Sequence, residues 1–417
     1  MPAPQHWAIT NSSHGDDANS GIWDGSTLAS FQANAKKTWQ SLYDAMASDH
    51  VTNNFFSPQI IHISNHSEFV LSGAIAQPNG TDTAWYNSAA NGRAPSVYVP
   101  YEEDTSGLYH TFRNGVRHPS WKVDASADGR FTDSVYARPT YSYWSMGHIT
   151  GISHSDGAEM ANTYSQCDHM IFDASGQTSG NYIVQRFQQH VNCTFIGGDG
   201  AGNGSNYGVL DGQAFIGCRF VDFKNKSVWV NGPCTIRHCT FENIDVTASN
   251  LSEGCLSIIH PSYIEISNCT FIGQGAADGN NAMMISSYVG NMRIFNNIFA
   301  NIQYPFRVGT IDSHFTDIGV NGFYNCGQTT VIKNDPTDGI TGGALFPNRK
   351  VDIILDEDPF VDSAGGDYRL KETSQARGRG QHPAFGAPSF ENIPLVGCDL
   401  GAIAYGAPLL PQAGRFI

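Results

Sequence analysis

Asn192-Cys193-Thr194-Phe195, Gly217-Cys218-Arg219-Phe220, His238-Cys239-Thr240-Phe241 and Asn268-Cys269-Thr270-Phe271 repeat one short phrase, and Asn296-Asn297-Ile298-Phe299 is a looser fifth copy. The Phe-to-Phe steps are 25, 21, 30 and 28 residues, which is the spacing of structural repeats. Strand alternation sends Cys and Phe to one face and Thr194, Arg219, Thr240, Thr270 and Ile298 to the other. The residue ahead of the Cys position, as in His238, Asn268 and Asn296, falls where a sharp bend between short strands suits Asn.

Thr235-Ile236-Arg237 aligns with Glu265-Ile266-Ser267 and with Arg293-Ile294-Phe295, which sets a common register. A second strand is expected after each copy, at Tyr207–Leu210, Val228–Asn231, Leu256–His260, Met283–Ser287, Phe306–Val308 and Val331–Lys333. Several short strands per repeat, with like residues stacking from turn to turn, predict an all-β chain folded as a single-stranded parallel β-helix, a solenoid. Upstream, Trp7–Thr10, Ile60–Val70 and Ser96–Pro100 read as strands. Phe31, Ala35, Trp39, Leu42 and Met46 lay a helical stripe along Ser30–Ala47, and such a helix would serve as an N-terminal cap over an open solenoid end. The expected organisation is residues 1–50 for the N-terminal strand and capping helix, 51–148 for irregular early rungs with an aromatic-rich insertion, 149–335 for regular rungs, and 336–417 for C-terminal rungs and tail.

Composition agrees with a turn-rich β protein. Charged residues are 15% of the 417, and Gly alone numbers 44. The formal charge of −15 leaves no basic excess to displace counterions, so no nucleic-acid partner is expected. No apolar run is long enough for a membrane span. Four of nine cysteines hold one repeat position and read as a reduced, buried stack of small hydrophobes. Zinc-type spacing is lacking, and His148 and His154 fall in a Gly/Ser-rich stretch without the carboxylate or thiol spacing of a metal site, so no metal site is expected. Met1-Pro2-Ala3-Pro4-Gln5-His6-Trp7 has neither the basic nor the apolar region of an export signal. The expectation is either a trimmed signal or synthesis in a cytoplasm.

Three segments resemble the right-handed parallel β-helix, pectate-lyase-like superfamily, which includes polysaccharide lyases and phage tailspike or fibre proteins. They are Gly15-Asp16-Asp17-Ala18-Asn19-Ser20-Gly21 with its helix, the Asn/Gly/His-Cys-x-Phe strands, and Asp358-Pro359-Phe360-Val361-Asp362 with Gly366-Asp367-Tyr368-Arg369-Leu370 and Asp399-Leu400-Gly401-Ala402. The resemblance implies a right-handed solenoid, and it leaves activity open because the fold hosts enzymes and inert parts alike.

Lyases of this fold use a base and neutralising cations on an outer face, at times with calcium. The candidates for that chemistry are Lys226, Arg237 and His260, near Arg219 and Lys224. Glu265 and Arg293 occupy equivalent positions and read as a surface ion pair. Asp199, Asp211, Asp222 and Asp245 sit in turn-forming sequence, and Gly197–Gly204 reads as a loop. Trp85, Tyr207, Trp229 and His260 are the candidate ligand-binding residues. Trp85 belongs to an early aromatic group with Tyr86, Tyr101, Tyr109, Trp121, Tyr141, Tyr143 and Trp144, which either stack on sugars or seal the early rungs.

The expected function is that of a virion-associated structural protein: a phage head decoration, fibre or tailspike-like component, a homotrimer with other virion proteins and host or environmental glycans as partners and no cofactor. No separate particle-binding or trimerisation segment is legible, which favours a decoration or fibre over an autonomous depolymerase. The alternative is a secreted polysaccharide lyase or glycoside hydrolase acting on an acidic polysaccharide, with calcium as the cofactor of a lyase.

Overall fold

The computed structural model describes residues 4–53, 59–65, 67–71, 74–76, 96–101, 112–113, 116–117, 120–124, 130–132, 142–150, 166–175, 182–185, 189–197, 207–210, 214–223, 227–244, 255–259, 263–275, 281–287, 291–308, 317–318, 320–327, 332–333, 353–380 and 399–402. The chain forms two compact units, Met1–Phe195 and Ile196–Ile417.

In the first unit Gln5–Ile9 pairs in parallel with Gln59–Ser64, and that strand pairs with Ser96–Tyr101. Ser142–Ser145, Gln166–Asp168 and Gln189–Val191 continue the sheet, again in parallel. A second parallel sheet holds Glu68–Val70, Trp121–Asp124, Gly147–Thr150 and Ile171–Asp173. The expected single strand over Ile60–Val70 is thus two strands, one in each sheet. Where consecutive strands pass from sheet to sheet the backbone turns left-handed, at Met146, His169 and Asn192 with φ of 62°, 52° and 52°. Gly147 follows such a bend because a Cβ there would lie 2.3 Å from the Trp121 ring.

The helical stripe is buried as expected, but it spans two helices, α1 (Leu28–Asn34) and α2 (Trp39–Asn53). Ala35 is extended, and Lys36 is recruited to the strand Gln5–Ile9: its N–H donates to Ala8 O and its carbonyl accepts from the Thr10 N–H. These sheet bonds outcompete helix continuation. Asp17 then restarts the helix, its carboxylate accepting the Lys37 and Thr38 N–H groups. Trp39 meets the rings of Phe69, Tyr98, Trp121 and Trp144. The early aromatics Trp121 and Trp144 are therefore buried sealing residues, out of reach of a ligand.

The second unit contains three parallel sheets. The first is Ala214–Ile216, Cys234–Arg237, Tyr263–Ser267, Asn291–Phe295 and Asp317–Ile318. The next is Arg219–Val221, Thr240–Ile244, Thr270–Gly273, Ile298–Ala300, Gly322–Tyr324 and Ile353–Leu355. The third is Tyr207–Leu210, Val228–Asn231, Leu256–Ile259, Asn281–Ser287, Tyr304–Val308 and Ile332–Lys333. From Ala214 to Lys333 each repeat gives one strand to each sheet, an arrangement compatible with a parallel β-solenoid.

Like residues stack inside. Phe220, Phe241, Phe271, Phe299 and Phe323 are in register, with successive ring centroids 4.7, 4.5, 5.0 and 5.4 Å apart. Offset aromatic contacts of this kind add about 0.5–1.5 kcal/mol each beyond burial. Cys218, Cys239 and Cys269 are buried in the neighbouring column, and none is in a disulfide. Asn297 and Asn321 continue that column. Asn297 Oδ1 accepts the Cys269 N–H at 2.9 Å, and Asn321 Oδ1 accepts the Asn297 N–H at 3.0 Å. The bends ahead of the column are left-handed, at Gly217, His238, Asn268 and Asn296, as the sequence predicts.

The columns expected to face outward are covered where the later chain crosses them. Ile272, Ile298 and Ala300 pack beneath Leu355, Phe360, Tyr368, Leu370, Ala376 and Leu400. Ala402 N donates to Thr270 Oγ1, and Gly401, at φ 87°, leaves no space for a Cβ against Ile298 and Thr270.

Candidate functional site

Strand alternation in the second unit turns Cys234, Ile236, Ile264, Ile266 and Ile294 inward. Arg237, Tyr263, Glu265, Ser267 and Arg293 then share the opposite face. Glu265 is their hub. Its Oε1 accepts from Arg237 Nε at 2.7 Å and from Ser267 Oγ at 3.0 Å, while Oε2 accepts from the Tyr263 hydroxyl at 2.8 Å. Arg293 Nη1 stands 3.7 Å from Oε2, and its guanidinium lies 5.1 Å from the centroid of the Phe295 ring. Burial alone would raise the Glu265 carboxyl, but the bonds from Arg237, Tyr263 and Ser267 outweigh it and hold the group below its ordinary value. Glu265 is only 3% exposed, so the expected surface pair is a buried carboxylate gripped from several sides.

A parallel arrangement sits in the adjoining sheet. Arg219 donates Nε and Nη2 to the two oxygens of Glu242, each at 2.5 Å, and Thr240 Oγ1 donates to Oε1 at 3.0 Å. Glu242 is 4% exposed. This is the bidentate fork that fixes a guanidinium in one orientation.

Of the residues expected to serve a lyase, Arg237 lies at this hub, while Lys226 and His260 fall outside the described residues, as does Trp85. Tyr207 and Trp229 lie on neighbouring strands of the third sheet, where Leu210 is opposite Trp229. Arg237 belongs to the first sheet, so the expected residues that are described do not share one sheet. Asp222 occupies a left-handed bend at φ 58° and accepts from Asn243 Nδ2 at 2.6 Å, which is a turn role. Asp199, Asp211, Asp245 and His154 fall outside the described residues.

The first unit carries a cluster that the sequence reading did not single out. His169 Nδ1 is 2.5 Å from Asp168 Oδ1, and the Tyr143 hydroxyl donates to Asp168 Oδ2 at 3.3 Å. Asp168 is 9% exposed. A carboxylate that orients one imidazole nitrogen leaves the other to move protons, which is the geometry of a general acid or base. The adjacency of Asp168 and His169 was the available signal. The Tyr143 contact spans a full turn of chain and was not legible. Nearby, His148 Nε2 lies 3.6 Å from Asp173 Oδ2. Burial raises the Asp173 carboxyl, but the neighbouring His148 imidazole and the bond from the Ser175 N–H prevail and hold it below its usual range.

Among the described residues no group of three or more His, Cys, Asp or Glu is placed to hold a metal ion, and no helix is long and apolar enough to cross a membrane. No protein-family model matches the chain, and no curated protein matches it.

Proposed function

We propose that this chain is a virion-associated structural protein, a right-handed parallel β-helix of the pectate-lyase-like superfamily with α2 as its N-terminal cap. It serves as a head decoration, fibre or tailspike-like part, assembles as a homotrimer with other virion proteins, and offers host glycans a rigid outer face. The observation that carries the structural reading is the capture of Arg219 and Arg237 by buried Glu242 and Glu265. Cations held this way brace a surface and are poorly placed to neutralise a reacting uronate. None of the eight described cysteines is in a disulfide, which fits folding in a reducing host cytoplasm.

The test is peptide mass spectrometry on density-purified virus particles. Peptides of this chain are expected at constant ratio to the major capsid protein across the particle peak. Their absence from particles while the chain accumulates in the soluble fraction overturns the assignment.

A second reading, a secreted polysaccharide lyase or glycoside hydrolase acting on an acidic polysaccharide, is favoured by the Tyr143, Asp168 and His169 cluster. On that reading the purified protein depolymerises a uronate polymer and His169→Gln stops it. On the structural reading neither protein does so.

A further inference from the structure

The parallel strands Gln5–Ile9 and Gln59–Ser64 each present one histidine to the same face of their sheet. His6 Nδ1 lies 2.9 Å from His62 Nε2. The ring planes are 21° apart and the centroids 5.2 Å apart, so the rings meet almost end to end through those two nitrogens. That is an N–H···N bond, in which one ring donates and the other accepts. Trp23 covers the pair, with its ring centroid 4.7 Å from that of His62 and 6.2 Å from that of His6, nearly perpendicular to both. Tyr101 flanks His62 at 6.3 Å. Phe31 of α1 closes over this layer, 5.4 Å from Trp23 and 4.3 Å from Tyr101.

We propose that His6 and His62 form an acid-sensitive latch: their shared N–H···N bond holds the strand Ile22–Trp23 and α1 on the sheet face, and protonation of both rings releases that segment. One added proton leaves the bond intact, because an imidazolium still donates to a neutral partner. A second turns both facing nitrogens into donors and sets two cations at bonding distance. The strands beneath are fixed by their own pairing, so the rings separate and hydrate only when Trp23 gives way. Trp23 is opposite His6 in the antiparallel pair and carries Phe31 with it. The latch does not depend on the function proposed above.

Burial first, and then the charge of His6, push the His62 imidazole down to about 4. A depressed folded value means that the hold is complete above the unfolded value, about 6.5, and is lost as pH falls toward the folded one. Of the rings that face the pair, only Tyr101 carries another titratable group. Asp24 adjoins Trp23, and bonds from Ser26 and Ser30 hold its carboxyl below the usual range. Asp17 ties the start of α2. Burial raises its carboxyl, but bonds from Ser41, Thr38 and Lys37 outweigh that and lower it. Both carboxylates therefore stay charged through most of the window in which the latch opens.

The experiment is hydrogen exchange with mass spectrometry on the full chain between pH 7 and 4.5, with rates corrected for the intrinsic pH dependence of exchange. The amides of residues 21–35, among them Gly21 and Ala35 whose N–H groups donate to Asn34 O and Phe31 O, are expected to lose roughly 10–100-fold of their protection across that range. His62→Gln, which cannot titrate there, is expected to give a flat profile whatever its level of protection. Protection that stays constant in the wild type, or that rises because the aromatic rings favour the cations, overturns the proposal. A fall that persists unchanged in His62→Gln overturns it too, since other groups would then be the cause. Should His62→Gln fail to fold, His6→Gln is used in its place: without the second charge the fall is expected to shrink, and an unchanged fall again overturns the latch.

Discussion

Asn192 has an exposed side chain on a backbone held at φ 52°. L-residues enter that region at a cost of about 1–2 kcal/mol, which Gly escapes and Asn reduces. Asn192→Gly is therefore expected to leave the urea midpoint nearly unchanged, while Asn192→Val lowers stability by about 1–2 kcal/mol at constant m value. Equal losses for the two variants would show that the side chain matters more than the bend. Glu265 makes a prediction of another kind. Its folded carboxyl is held below the unfolded value, so its contribution is complete above the unfolded pKa, about 4.3, and is lost as pH falls through the folded one. Denaturant titrations of the wild type are expected to lose stability more steeply below about pH 5 than those of Glu265→Gln. At neutral pH that variant is less stable by about 1–3 kcal/mol, since Arg237 and Arg293 keep partial access to water. Parallel acid limbs would mean that the hub carries no net charge-dependent stability.

Within the parallel strands the unit of stability is the stack. Phe271 lies between Phe241 and Phe299, with centroids 4.5 and 5.0 Å away. Phe271→Ala empties a fully buried site and is expected to cost about 3–5 kcal/mol, whereas Phe271→Leu stays below that range. Chemical denaturation of the two variants checks the order. The same stacking made these strands legible in sequence: identical side chains recur because each rung presents the next with the same hole. Tyr207–Leu210 and Val228–Asn231 are strands with the bounds that the pattern assigns. Copies with a different residue in the Cys place, Met170 before Phe172 and Asn321 before Phe323, escaped the pattern although their Phe residues are buried alike. The break between α1 and α2 was illegible for another reason. The stripe at Phe31, Ala35 and Trp39 keeps helical spacing, and only the sheet bonds of Lys36 to Ala8 and Thr10 interrupt it. Much the same holds for the candidate sites. Arg237 was legible as a cation on a strand face, but the burial of its partner Glu265 depends on neighbours from several repeats. The meeting of Tyr143 with Asp168 likewise depends on which strands pair.

At the scale of the whole molecule, the second unit is a repeat array whose side columns are finished by chain far away in sequence. A solenoid face that alternates cleanly should place Thr270, Ile298 and Ala300 in water, yet all three are buried. The cover is made by Leu355, Phe360, Leu370, Ala376 and Leu400, and it is anchored by backbone bonds from Gly401 N to Asn296 O and from Leu400 N to Ala376 O. Such a cover turns an apolar stripe that would drive association into interior. A chain ending at Leu355 is expected to keep its β-type circular dichroism while binding an apolar fluorescent dye and sedimenting as larger species than the full chain. Gly401→Ala tests the same contact with one methyl group. At φ 87° the new Cβ would fall 2.9 Å from Ile298 Cδ1 and Thr270 Oγ1, so a loss of about 1–3 kcal/mol is expected, with increased dye binding. A truncated chain that stays monomeric and dye-silent would mean that the stripe is stable without its cover, and that the tail is an addition to the stacked parallel sheets instead of their outer wall.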